Sequence, residues 1–357
     1  MFDATLGYEG EGPRVSSRVP RDVAVVDVAG RGEPATQKLK AASMVAFEGY
    51  LRENDVTITV LMLLDLPRLL DGLLHAFGRY LYAQGHPLYL FKHLVIGFQR
   101  DSVRLRHQLP EAWDFSSRWE SLQPVIHRTP MPEALMKSMV SLAILSGWYR
   151  WAAVVLIAFE GVMRIGDVLQ ATRSCLLLPD DMLEPEADYG FLRVDKPKSG
   201  QRGGAKVQHA RLRGVPLLRF VQLAVGTLPA SSKLYPFSAS TFRNRWDRIL
   251  NALTVPAKAG FTPGGLRGGG AVNKYRKGLG IADLLWQMRL RHATTLEHYL
   301  QEVAAVSSLT ELPVATRKSI QDVALLFDKL LDLQAPGSEQ ETLVAHQRKH
   351  GGNGVVG

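Results

Sequence analysis

Cysteine is almost absent from this chain of 357 residues: Cys175 stands alone, in an apolar run. That excludes an intramolecular disulfide framework and a Cys-rich zinc site, and it fits a reducing compartment. No run of about 18 uncharged apolar residues occurs, so no membrane-spanning helix is expected. The first residues include Asp3, Glu9 and Glu11 and no apolar core, which does not read as a secretory signal. These absences predict a soluble intracellular protein: nuclear if eukaryotic, otherwise cytoplasmic or nucleoid-associated. Acidic residues are also in deficit, with 34 Asp and Glu against 43 Lys and Arg, a net charge of +9. Such a balance favours polyanionic partners, because neutralising phosphates releases condensed counterions.

The hydrophobic fraction is 46%, enough to bury sizeable cores, and the length allows two domains. Residues 1–34 mix Gly, Pro, Arg and Asp without a period and read as a flexible arm. Residues 35–122 carry helical periodicity over Lys38–Leu51, Leu66–Gln84 and Leu88–Leu105, and no strand. The stretch 123–132 holds three prolines and no period, which marks a linker. Residues 133–335 begin with two buried helices, Glu133–Ser146 and Trp148–Gly161, and a short one at Ile165–Thr172. The period then changes, and Cys175–Leu178, Phe191–Val194 and Val207–Leu212 suit strands. Helical texture returns at Leu217–Val225, Ser240–Leu253, Leu266–Lys277, Ile281–Met288, Thr294–Ser307 and Val314–Leu333. Residues 336–357 are polar, then Gly-rich, and read as a disordered tail. The expected fold class is mainly α: a helical domain, then a larger helical domain with a small antiparallel sheet.

Four places could carry chemistry. Arg164 closes the apolar stretch before Ile-Gly-Asp. It is either a solvated helix-end arginine paired with Asp167, or one aimed at an oxyanion with Asp167 orienting its guanidinium. The segment Arg193–Arg219 holds eight Lys or Arg and one acid, Asp195. Such a hairpin suits a duplex backbone, although lysines also protect sheet edges. A lysine at its tip, in Lys196-Pro197-Lys198-Ser199-Gly200, could protonate a leaving oxygen. Arg267 follows Thr262-Pro263-Gly264-Gly265-Leu266, a helix start whose amides attract phosphate. Tyr299 is either an ordinary half-buried helix residue or a nucleophile that attacks phosphorus.

In this order the motifs resemble those of the tyrosine recombinase (phage integrase) family. VMRIGDVL resembles its first-arginine motif, KPKSG its hairpin lysine with Lys198 favoured, TPGGLRG its His-x-x-Arg box, and LEHYLQEV its nucleophile helix. The last motif is closer in flavour to recombinases of eukaryotic mobile elements than to bacterial chromosome-dimer resolvases. The resemblance covers Pro130 to about Val306 and implies that the preceding helical unit is the core-binding, DNA-clamping domain. It departs at two helper positions: Gly264 stands where the family has a histidine, and Leu290 where it has His or Trp. His292, two residues on, could supply the missing group.

The resemblance implies double-stranded DNA as partner, a 3′-phosphotyrosine intermediate and no metal or nucleotide cofactor. The catalytic set would be Arg164, Lys198, Arg267, Tyr299 and His292, with Asp167 in support. The DNA-contact set would be Lys196, Arg202, Lys206, Arg211, Arg243, Arg245 and Lys274. It also implies a tetramer on DNA with exchanged C-terminal segments, for which Val314–Leu333 has the spacing; packing on its own domain is the other reading of that helix. A DNA-binding relative without turnover, a type IB topoisomerase-like enzyme, and a basic helical scaffold remain as alternatives.

Overall fold

The computed structural model describes residues 34–123, 128–195, 207–290, 292–293, 296 and 307–332. The chain divides into two compact units, one up to residue 125 and one from residue 126 on. Among the described residues no helix is long and apolar enough to cross a membrane, and no cluster of potential metal ligands occurs.

Among its described residues the first unit is helical, with no strand: α1 (Pro34–Glu53), α2 (Val60–Leu63), α3 (Pro67–Ala83), α4 (Leu88–Asp101) and α5 (Pro110–Leu122). Leu70, Leu74, Phe77 and Leu81 recur along one face of α3 and are buried with Phe47 of α1 and Phe91, Leu94 and Phe98 of α4. Prolines open α3 and α5, where the missing N–H would be unpaired in any case. Leu109, at the N-cap of α5, offers no side-chain acceptor. Asp71, buried on α3, accepts the N–H of Glu111 and of Ala112 instead, each at 2.9 Å. One helix thus caps another, and the carboxylate meets the positive end of the helix dipole.

The second unit is built around one hydrophobic helix. Its elements are α6 (Glu133–Leu145), α7 (Tyr149–Glu160), α8 (Ile165–Gln170), β1 (Leu176–Leu177), β2 (Tyr189–Val194) and β3 (Gln208–Arg213). There follow α9 (Val215–Val225), α10 (Ala239–Ala252), α11 (Gly265–Arg276), α12 (Ile281–Met288), α13 (Val314–Ala324) and α14 (Phe327–Asp332). Every residue from Trp151 to Phe159 is buried, so α7 is apolar all round and is covered by α6, α9 and α11. The three strands form an antiparallel sheet in the order β1-β2-β3, with Phe191 opposite both Leu177 and Arg211. The fold class is the mainly helical one with a small antiparallel sheet that the periodicities predict.

Two local expectations change. Cys175 lies in a 3-10 turn rather than in β1, because it precedes the residues that pair with Leu192 and Phe191. The single helix expected over Val314–Leu333 is two, separated at Leu325–Leu326, because α13 packs on α6 while α14 packs on both α9 and α6. Both pieces bury their apolar side chains, Ile320 and then Phe327, Leu330 and Leu331, in the core of their own unit.

Candidate phosphate site

The end of α7 creates the first half of the site. After Glu160 the chain turns through Val162, which has φ of 50° and is fully buried. A left-handed backbone at a β-branched residue is strained and persists only where packing holds it. Here Val162 is clustered with Ala271 of α11, Leu284 and Met288 of α12, and Leu296. The turn delivers Arg164 to the N-cap of α8, with a side chain about one-third exposed. Asp167 lies one turn on, its Oδ2 3.8 Å from the Arg164 Nη1.

Helix α11 supplies the second half. Its glycines allow an approach that no other residue would: a Cβ at Gly269 would overlap the Met131 carbonyl, and one at Gly270 the Phe159 carbonyl of α7. The extended segment before α6 is held by the Met131 N–H, which donates to the Gly265 carbonyl at 3.0 Å. Lys274 further ties α11 to the end of α7 by an ion pair with Glu160 at 3.4 Å, both groups largely buried. Arg267, in the first turn of α11, is 3% exposed, and its Nη2 donates to the Met288 carbonyl at 2.5 Å. The neighbours of Arg164, Arg267 and residue 296 therefore share one buried cluster.

A third arginine belongs to the same place, and the sequence reading missed it. Arg289 ends α12 in the left-handed conformation, φ 55°. Burial pushes its guanidinium below the usual arginine range; the Asp167 carboxylate pulls it back up and the Arg164 cation pushes it down. Neighbouring RLRH offers no periodic signal for this, because the position depends on where α12 stops. A fourth arginine covers Gly264, the position at which the sequence resemblance would place a histidine. The Arg128 side chain lies where a Cβ would be, its Nη1 overlapping that point and its Cδ and Cζ 2.9 Å from it.

The remaining predicted residues are distributed as follows. His292 is exposed, on the segment after α12. Arg211 lies 5.6, 5.4 and 5.8 Å from the ring centres of Tyr189, Phe191 and Trp286, which joins β3 to α12. Arg245 stacks over Trp148 and Phe237, at 5.0 and 4.6 Å, so its guanidinium is engaged by aromatic faces. Arg243 is exposed and pairs with Asp247 on its own helix at 2.9 Å. Lys196, Lys198, Arg202, Lys206 and Tyr299 lie outside the described residues.

No protein-family model matches the chain, and no curated protein is similar to it. Solved structures similar to it include two recombinases. One is the XerH site-specific recombinase bound to its difH substrate in a pre-cleavage complex, 13% identical, covering 68% of this chain and 70% of that one with a TM-score of 0.43. The other is the XerA recombinase, 15% identical, covering 79% of this chain and 93% of that one with a TM-score of 0.39.

Proposed function

We propose that this protein binds double-stranded DNA and cuts and rejoins it through Tyr299, as a tyrosine-recombinase-like strand transferase. The observation that carries this reading is the meeting of the Arg164 and Arg267 motifs with residue 296, three positions before Tyr299, over one buried cluster. In the reaction the Tyr299 oxygen forms a bond to the scissile phosphorus, and the bond from phosphorus to the 5′-oxygen breaks. Lys198 delivers a proton to that leaving oxygen, while the phenol proton goes to a base, the role proposed for His292. Arg164 and Arg267 offset the charge that grows on the non-bridging oxygens, as preorganised cations in a largely dry site. A second strand's 5′-hydroxyl reverses the step. The free energy of the phosphodiester is kept in the phosphotyrosine, so no nucleotide is consumed and the residues named supply the step without a metal.

DNA binding without turnover is the second reading, favoured by the Arg128 side chain filling the space beside Gly264 where the family's histidine would stand. Losing one general acid–base group costs about 10²–10⁴-fold in rate. Incubation with nicked suicide substrates separates the two. The strand-transferase reading predicts a covalent protein–DNA adduct that disappears in Tyr299→Phe. Tight, salt-sensitive binding with no adduct would leave the binding reading.

A further inference from the structure

We propose that Arg289 is a third phosphate-binding arginine of this site, sharing the phosphate oxygens with Arg164 and Arg267; the inference rests on the strand-transferase reading above. Arginines elsewhere in the second unit show what a structural role looks like. Arg150 donates to the carbonyls of Leu234 and Lys233, and Arg173 to those of Gly226 and Leu176 and to both Asp181 oxygens. Arg289 does none of this. Its Nε, Nη1 and Nη2 are all buried, and none has a hydrogen-bond partner among the described residues. A guanidinium withdrawn from water with its donors unmet is costly, and an anion that accepts from it removes that cost.

The neighbours identify the kind of anion. Asp167 is the carboxylate that acts on both Arg164 and Arg289, and its buried Oδ2 makes no hydrogen bond of its own. The Arg267 guanidinium is fixed against the Met288 carbonyl, the peptide that leads into Arg289. Three arginines (Arg164, Arg267, Arg289) less the Asp167 carboxylate leave +2 for the non-bridging oxygens, the proton of Lys198 going to the leaving oxygen. A phosphodiester brings one negative charge, and a second accumulates on its oxygens as the nucleophile adds. The site's charge therefore matches the transition state better than the ground state, which is the condition for accelerating the step. The planar forks of three arginines also match the tetrahedral spread of phosphate oxygens. Finally, Leu290 stands where the family resemblance calls for a His or Trp, and its side chain packs into the cluster with Met288 and Leu296. Arg289, one residue earlier, supplies donors that Leu290 lacks.

The test uses the full chain, with sulfate as the phosphate probe against chloride of matched ionic strength. Wild type should melt higher in sulfate. Arg289→Met should melt above wild type in chloride, since it removes a buried unmatched cation, and should lose most of the sulfate shift. On suicide DNA, Arg289→Met and Arg289→Lys should form adduct more slowly, by about 10²–10³-fold for Met, with DNA affinity within a few fold of wild type. A full sulfate shift in Arg289→Met, a lower melting point in chloride, or wild-type adduct rates in both variants would overturn the inference. The two readings fail separately. A sulfate shift that needs Arg289 in a protein forming no adduct keeps the anion site and sinks strand transfer; equal adduct rates in wild type and variants keep strand transfer and sink Arg289.

Discussion

Replacing Gly270 with alanine tests whether the approach of α11 to α7 sets the site. Alanine is the better helix former by about 1 kcal/mol, so an open helical glycine gains stability from this change. Gly270 is not open: its Cβ would overlap the Phe159 carbonyl, with the Phe159 carbonyl carbon 3.0 Å away. A backbone carbonyl inside a buried helix cannot swing aside, so the two helices must part by roughly 1 Å to restore ordinary contact. Overpacking costs about 1–3 kcal/mol, and an overlap with buried backbone falls in the upper part of that range, about 2–3 kcal/mol, which outweighs the propensity gain. The net loss is about 1–2 kcal/mol, or roughly 2–8 °C in the melting of a unit of this size. Activity should suffer more, because a ~1 Å displacement of Arg267 from Arg164 costs about 10²-fold. Gly72 on α3 is the control: it is exposed, nothing lies within 4 Å of its would-be Cβ, and Gly72→Ala should stabilise its own unit by about 0.5–1 kcal/mol. Calorimetry of both variants, with adduct formation alongside, reads the result. Gly270→Ala melting at or above wild type would refute the reasoning.

Four further outcomes follow from the same geometry. Arg164→Ala or Arg267→Ala should abolish adduct formation while leaving bulk DNA affinity largely intact in a filter-binding titration, since many other cations contribute to the latter. Asp71→Ala should destabilise the first unit by about 1–3 kcal/mol in a urea titration, because the Glu111 and Ala112 amides lose their shared acceptor. Gly264→His should displace the exposed Arg128 side chain and raise adduct rates, and Arg128→Ala in the same chain should raise them further; rates no higher than wild type in both would count against a helper role at this position. Burial pushes the Asp181 carboxyl up, but hydrogen bonds from Arg173 and the Leu178 N–H, with the Arg173 charge, outweigh it and hold the group below its usual value. A depressed carboxylate stabilises the fold above its unfolded value of about 3.9 and loses that contribution as pH falls through the folded one. Asp181→Asn should therefore flatten the melting-temperature profile below about pH 4.

Much of the fold is legible in the sequence because burial follows period. The unbroken apolar run from Trp151 to Phe159 announces a helix covered on all sides, and the change of period after Cys175 announces the sheet. The break at Leu325–Leu326 is not legible, since the spacing of apolar residues there continues and only the choice of packing partners divides the helix. Charge is the least legible property of the candidate site. In the sequence Arg245 and Lys274 are two more cations on basic helices; folded, one stacks on Trp148 and Phe237 and the other pairs with Glu160. Arg289 is hidden for the converse reason. A charged residue next to an apolar helix end reads as solvated until the left-handed turn and the proximity of Asp167 are known.

The central claim is that Tyr299 becomes covalently joined to DNA. Peptide mass mapping of the complex trapped on a suicide substrate tests it most directly. The account predicts a single nucleotide-modified peptide carrying a 3′-phosphate on Tyr299. A modified peptide from elsewhere in the chain, or binding with no modified peptide, would contradict it.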